Sequence, residues 1–276
     1  MRYFLLLFIF CFNNLFAGSL KVITYNLRYD NAGDGINQWE KRKNKVDSLL
    51  HHYSPDVLCI QEGLNNQVND LQTMLPDYFY VGVGRDDGKE KGEYSAIFFR
   101  KNLFKLESSG NFWLSPTPDL AGSRGWDAAC VRICTYAKIK SQKNGKIFFV
   151  FNTHFDHQGE VARKESAKLI LEKIKKIADK SPVIFTGDLN SEPNSSTYQI
   201  ITSNSVHPLF DNYLKHSNKE CTFTGFEVKS EICKRIDFIF SDKNFSCSAY
   251  KIIDDNDGTY YPSDHEAVEA ILEFKK

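Results

Sequence analysis

An α/β fold, with two packed β-sheets bearing helices on their outer faces, is what the sequence predicts, and three observations predict it. Apolar runs of strand length recur between turn signals, only two segments carry helical spacing, and no linker, low-complexity tract or fixed-period repeat divides the chain. The 276 residues, 42% hydrophobic and 14% aromatic, suffice to bury one substantial core.

In chain order, the first run is LKVITYN at 20–26, apolar and β-branched as strands are. Trp39 to Tyr53 follows with Val46, Leu49, Leu50 and Tyr53 on one face, the 3.6-residue spacing of an amphipathic helix. DVLCIQE, YFYVGVG and YSAIFFR are three more short runs rich in β-branched and aromatic residues. KIFFVFNTH precedes the second helical segment, Val161 to Ala178, whose face carries Leu169, Ile170, Ile174 and Ile177. PVIFTGDLN, RIDFIFS and EAVEAIL complete the strands.

Ahead of these, Met1 to Ala17 has Arg2, an apolar stretch from Phe4 to Phe12, a polar break at Asn13-Asn14 and small residues at Ala17-Gly18-Ser19. That pattern is a signal peptide, so residues 1–17 are expected to be removed and 18–276 to form one domain, exported to the periplasm or beyond the cell. A buried N-terminal strand is the other reading of the run. A membrane span needs roughly 20 apolar residues, and the Asn pair cuts this one short. Of the seven cysteines, Cys11 falls in the leader, leaving an even number that permits disulfides after export. Cys221 and Cys233 flank a Gly-containing connection and are the candidate pair, whereas Cys59 sits in an apolar run as a small core residue. Thirty-five basic and 35 acidic residues give zero net charge. This excludes a strong global field for nucleic acid, and no Cys/His zinc spacing is present.

Four apolar runs end on a polar residue that a strand end does not require: Asn26, Glu62, His154, and Asp188 with Asn190. Each alone also reads as a solvated turn former. With Asp237 inside RIDFIF and Asp264-His265 before the last run, they form a constellation. Asp237 shares a strand face with Ile239, so if that face is packed its carboxylate needs a partner, for which His265 Nδ1–H is the candidate. Hard oxygen donors without thiolates favour Mg²⁺ or Mn²⁺. Such an ion beside carboxylates and imidazole suits metal-assisted phosphoester hydrolysis.

TYN at 24–26, CIQE at 59–62, NTH at 152–154, GDLN at 187–190, RIDFIF at 235–240 and SDH at 263–265 resemble, in order, the endonuclease/exonuclease/phosphatase (DNase I-like) family. Within it, NLRYDN, GVGRDDG, FWLSPTP and GWDAA resemble a secreted bacterial branch related to deadenylase and nocturnin-like members. The resemblance implies a four-layer α/β sandwich of mainly antiparallel sheets with the site at one rim. It implies Glu62 as principal metal ligand with Asn26 and Asp264 supporting, Asp188 activating water, and Asn190 holding a phosphate oxygen and orienting Asp188. It further implies that His265, aligned by Asp237, faces the phosphoryl group, and that Glu93 partners His154 in a second dyad. Paired with carboxylates, both histidines are expected to favour the cationic form.

Around this centre, Arg28 and Arg85 are the favoured phosphate clamps among Arg28, Arg42, Arg85, Arg132 and Arg163. Trp126 is a candidate for stacking a base or sugar, with packing as its other reading. His157 joins the site by its spacing from His154, while His51, His52, His207 and His216 read as surface residues. The expected activity is a metal-dependent phosphodiesterase, a 3′–5′ exonuclease-like nuclease on single-stranded RNA or DNA or a nucleotide, in a monomer. The alternatives are hydrolysis of a small phosphoester or lipid head group (inositol phosphate, nucleotide, sphingomyelin) and a non-catalytic binding module.

Overall fold

Leu20, Val22 and Thr24 point to one side of the first strand and Ile23 and Tyr25 to the other, and all five are buried. A strand covered on both faces requires layers on both sides. The computed structural model describes residues 18–213 and 219–275, so the expected leader at 1–17 lies outside the described residues. In chain order the elements are β1 (Leu20–Asn26), α1 (Trp39–Tyr53), β2 (Val57–Gln61), α2 (Asn65–Met74), β3 (Tyr78–Val81), β4 (Ile97–Arg100), β5 (Phe104–Trp113) and β6 (Ile133–Ser141). Then come β7 (Ile147–His154), α3 (Glu160–Ala178), β8 (Val183–Asp188), α4 (Ser196–Thr202), β9 (Leu209–Asp211), β10 (Asp237–Asp242), β11 (Phe245–Ile252) and β12 (Val268–Phe274).

The strands form two six-stranded sheets, ordered β11-β12-β1-β2-β4-β3 and β5-β6-β7-β8-β10-β9. Pairing is antiparallel except for β1 with β2 and β7 with β8, which are parallel. Between the sheets lies an apolar layer including Val22, Val57, Ile97, Val150, Ile184 and Ile239. Helices α1 and α2 cover the first sheet through Val46, Leu50, Val68 and Leu71, and α3 covers the second through Ala167, Ile170 and Ile174. Burial of each aliphatic side chain contributes about 1.5–3 kcal/mol. Helix α1 ends where Ser54 turns left-handed at φ 52° and donates its N–H to Leu50 O at 2.8 Å.

The inward face of the central strands changes character along its length. Period-two alternation lines up Val22–Thr24–Asn26, Val57–Cys59–Gln61, Val150–Asn152–His154 and Ile184–Thr186–Asp188, each running from apolar to polar. At the middle level a buried hydrogen-bonded bridge joins the sheets. Gln61 Nε2 donates to Asn152 Oδ1 (2.7 Å) and Thr24 Oγ1 (2.9 Å), and Asn152 Nδ2 donates to Ile60 O (2.8 Å) and Ala96 O (3.0 Å). Thr186 Oγ1 adds a bond to Asn152 Oδ1 at 3.1 Å.

The eight expected strands and both expected helices are present, the second starting one residue earlier at Glu160. Strands β5, β6, β9 and β11 and helices α2 and α4 were not expected. β5 and β11 are edge strands whose exposed faces carry Lys, Glu and Ser, so no apolar run marks them. α2 buries only Gln67, Val68 and Leu71 within an otherwise polar sequence. Cys221 and Cys233 are disulfide-bonded, with Cα atoms 4.9 Å apart. His207 is buried, 3.5 Å from Asp242, and is not the surface residue expected; His216 lies outside the described residues.

Candidate active site

Register brings the functional ends together. In the second sheet His154 pairs with Asp188 across β7–β8, and Asp188 pairs with Asp237 across β8–β10. In the first sheet Asn26 pairs with Gln61, placing Glu62 one residue beyond the end of β2. Gly187 permits the approach of β8 to β7: at φ 154°, a Cβ there would lie 2.3 Å from Thr153 O. Arg28, Glu62 and Asn190 hold φ of 55°, 60° and 45°, a left-handed conformation that costs a non-glycine residue energy and concentrates at functional sites.

Asn26 Nδ2 spans the sheets, donating to Glu62 Oε1 (3.1 Å) and Asp188 Oδ2 (3.0 Å). Tyr29 N donates to Glu62 Oε2 at 3.1 Å, and Asn190 N to Asp188 Oδ1 at 2.8 Å. His265 Nδ1 lies 2.8 Å from Asp237 Oδ2, and its Nε2 faces Asp188 Oδ2 at 3.7 Å. Ser263 Oγ donates to Asn26 O at 2.8 Å, fixing the Ser-Asp-His turn to the end of β1. Burial opposes charge on His265, but the Asp237 and Asp188 carboxylates outweigh it and hold the imidazole well above its ordinary pKa. Burial pushes Asp188 up to about 7, reinforced by Asp237, and pushes Asp264 up to about 6.

The second histidine departs from expectation. Glu93 is ion-paired with Arg85, and its carboxylate stands 3.8 Å from His154 Nδ1, beyond hydrogen-bond distance. Burial, with Arg132 and Arg85 nearby, pulls His154 well below its ordinary pKa and so favours its neutral form, against the cationic expectation. Asn190 Nδ2 donates to both Phe155 O and His154 Nε2 at 3.0 Å, which leaves the His154 proton on Nδ1.

A cleft of about 540 Å³ opens over this centre, lined by Glu62, His154, Asp188, Asn190, Asp264 and His265 together with Arg28, Arg85 and Glu93. Arg28 lines it but is engaged twice by Asp34, at 3.0 and 2.9 Å, and stacks over Tyr29. Trp126 is 37% exposed and is not part of the cleft wall, which removes it as a stacking platform there. Arg132, His157, Phe223 and Lys234 line the cleft as well. Of these, His157 and Arg132, one of the five candidate phosphate-clamping arginines, carried a signal in the sequence; Phe223 and Lys234 did not. Phe223 packs its ring 4.9 Å from that of His265, from a hairpin closed by the Cys221–Cys233 disulfide.

The sequence matches the Endonuclease/Exonuclease/phosphatase family over residues 23–265. The chain belongs to this family. A member from Bacteroides vulgatus has the same fold at TM-score 0.89, with 41% identity covering 94% of this chain and 100% of that one. A mannosyl-6-phosphatase from Bacteroides thetaiotaomicron superposes at TM-score 0.86, with 38% identity covering 93% of this chain and 100% of that one. Human nocturnin is 24% identical over 214 residues, 68% of this chain and 47% of nocturnin, so the chain spans about half of that relative's length. Family members are phosphoester hydrolases.

Proposed function

We propose that this family member is an exported, divalent-metal-dependent hydrolase of compact phosphoesters. The observation that carries the reading is the convergence of Glu62, Asp188 and His265, from both sheets, on one cleft, with Asn26 and Asp237 hydrogen-bonded behind them. The donor set fits a hard cation: Glu62, His154 and Asp188 place ligand atoms within 4.8 Å of one another. Asp188 and Asp264, raised to about 7 and about 6 chiefly by burial, are a buried acidic pair that a nearby cation would stabilise in the ionised form. Glu62, with Asp264 nearby, would hold Mg²⁺ or Mn²⁺, which would supply charge neutralisation at the phosphoryl oxygens, while Asn26 Nδ2 orients Glu62 and Asp188.

The chain's own groups account for the remaining chemistry. Asp188, aimed by Asn26 Nδ2 and Asn190 N, accepts the proton of the attacking water. The water oxygen forms the new P–O bond as the bond to the alcohol breaks. His265, kept cationic by Asp237, stabilises the charge on the phosphoryl oxygens. Asn190 Nδ2 and neutral His154 complete the wall on the other side.

Compactness is supported by the zero net charge and by similarity to the mannosyl-6-phosphatase over nearly the whole chain. The leader pattern and the Cys221–Cys233 disulfide support export. Among the described residues no helix is long and apolar enough to cross a membrane. Similarity to human tyrosyl-DNA phosphodiesterase 2, 26% identical over 171 residues, favours a second reading, hydrolysis of a nucleic acid phosphodiester. The test is hydrolysis of p-nitrophenyl phosphate, bis-p-nitrophenyl phosphate, hexose phosphates and single-stranded RNA, with Mg²⁺, Mn²⁺ or EDTA, by wild type and Asp188→Asn. Metal-dependent release that disappears in Asp188→Asn is expected. Release that persists in EDTA, or in the variant, contradicts the proposal.

A further inference from the structure

Beside the catalytic centre, the cleft has a lobe whose hydrogen-bonding capacity is unspent. Arg132 is 4% exposed and held from behind: its Nε lies 3.5 Å from Asp156 Oδ2 and its Nη2 lies 3.2 Å from His157 Nδ1. Asp156 is fully committed to this task and to its own loop. Its Oδ2 accepts from Cys130 N (3.0 Å), and its Oδ1 accepts from Gln158 N (3.0 Å) and Gly159 N (2.8 Å). The Cys130–Asp156–His157 cluster is therefore saturated by donors and is no cation site, for all its acidic and imidazole character. The arrangement fixes the third corner of the guanidinium, Nη1, toward Glu93 at 3.9 Å.

Three buried nitrogens in this lobe have no hydrogen-bond acceptor among the described residues: Arg132 Nη1, Arg85 Nε and His154 Nδ1. Arg132 Nη1 and His154 Nδ1 stand 3.9 and 3.8 Å from Glu93, which Arg85 Nη1 already engages, while Arg85 Nε lies 3.9 Å from Asp86. Buried donors left unsatisfied cost about 1–3 kcal/mol each, so they mark a place where a ligand belongs. A second phosphate is a poor candidate, because Glu93 and Glu62 would repel it. A hydroxyl group is both donor and acceptor, and neighbouring hydroxyls can bridge a carboxylate to a guanidinium.

Resting on the phosphoester reading above, we infer that Arg85, Glu93 and Arg132 form the leaving-group subsite and select a hydroxyl-rich alcohol, the sugar of a sugar phosphate. The phosphoryl group sits over Glu62, Asp188 and His265, and the sugar hydroxyls donate hydrogen bonds to Glu93 and accept them from Arg85 and Arg132. The lobe supplies specificity, and its contacts are made in the ground state as well as the transition state. Losing one of them therefore raises KM more than it lowers kcat.

The experiment compares kcat/KM for mannose 6-phosphate and glucose 6-phosphate with that for phenyl phosphate, which has no hydroxyls on its leaving group. A thymidine dinucleotide is the diester comparison, and all assays contain saturating Mg²⁺ or Mn²⁺. Wild type is expected to prefer a hexose phosphate. Arg85→Gln and Arg132→Lys are expected to reduce that preference about tenfold or more each, through KM, as loss of a hydrogen bond to a charged group implies. Arg132→Lys keeps the charge opposite Asp156 while removing the fork, and melting temperatures establish that both variants are folded. Hydrolysis with no preference for hexose phosphates, or a preference unchanged in both folded variants, overturns the subsite and leaves the phosphoester reading standing. Preference for the dinucleotide overturns it in favour of a nucleic acid substrate. No turnover of any ester with metal bound removes the phosphoester reading itself, and the subsite with it.

Discussion

Replacing Asp237 with Asn tests whether the Asp237–His265 pair works as a charge-holding unit. The substitution keeps the shape of the side chain and removes the charge 2.8 Å from His265 Nδ1. A hydrogen bond to a charged group is worth about 1.5–3 kcal/mol, so if the imidazolium matters mainly in the transition state, kcat falls about 10- to 150-fold. The same change has a signature in pH. Asp237 raises the pKa of both His265 and Asp188, so without it each group loses its proton at lower pH. Asp188 becomes active as a base at lower pH, and His265 loses its charge at lower pH. Both limbs of the pH–rate profile should therefore move in the acid direction, at fixed metal concentration, while the maximum drops. The assay is kcat and kcat/KM on a chromogenic phosphoester across the pH range where imidazole titrates. A variant with wild-type kcat, or one whose profile falls in height without moving, would refute this account of the pair.

Other consequences follow from particular contacts. Gly187→Ala places a Cβ 2.3 Å from Thr153 O and should lower stability by about 1–3 kcal/mol, read as a drop in melting temperature; an unchanged melt would show that the close approach of β8 to β7 is not needed. Asn152→Leu removes the donors to Ile60 O and Ala96 O and takes one of two acceptors from Gln61 Nε2 and from Thr186 Oγ1. It should cost about 3–5 kcal/mol in urea unfolding, and coincident midpoints would contradict a structural role for the bridge. Burial raises the Asp156 carboxyl, but backbone N–H groups of Gly159, Ala129, Cys130 and Gln158 outweigh it and hold the pKa well below the usual carboxylate range. Because the folded-state pKa is depressed, the stabilisation is full above about pH 4, the unfolded value, and is lost as pH falls toward the folded one. Asp156→Ala should thus be destabilised at neutral pH by an amount that shrinks on acidification; a gap constant with pH would count against this reading.

Much of the fold was legible because the central strands are buried on both faces, and β-branched and aromatic runs such as LKVITYN and KIFFVFNTH announce themselves. The edge strands were not, since Lys105, Glu107 and Ser109 of β5 face solvent and leave no periodic apolar signal. The site was legible for a related reason. A polar residue ending an apolar strand, as Asn26, His154 and Asp188 do, continues the inward-facing row of every second residue and so must meet its counterparts from the other sheet. What sequence spacing does not contain is competition for a partner. Glu93 sits where a partner for His154 is expected, yet Arg85, eight residues earlier on the same glycine-broken loop, takes its carboxylate. Arg132 likewise gives no sign in sequence that Asp156, 24 residues later, orients it into the cleft.

Direct binding of Mn²⁺ to the wild-type protein and to Glu62→Gln, followed by electron paramagnetic resonance or calorimetry, tests the central claim most directly. If the strand ends converge to hold a catalytic cation, the wild type binds the ion and Glu62→Gln weakens binding by at least about tenfold, as loss of a charged ligand worth 1.5–3 kcal/mol implies. A wild type that binds no divalent ion, or a Glu62→Gln variant that binds it as tightly, would contradict the assignment of this cleft as a metal-assisted phosphoester centre.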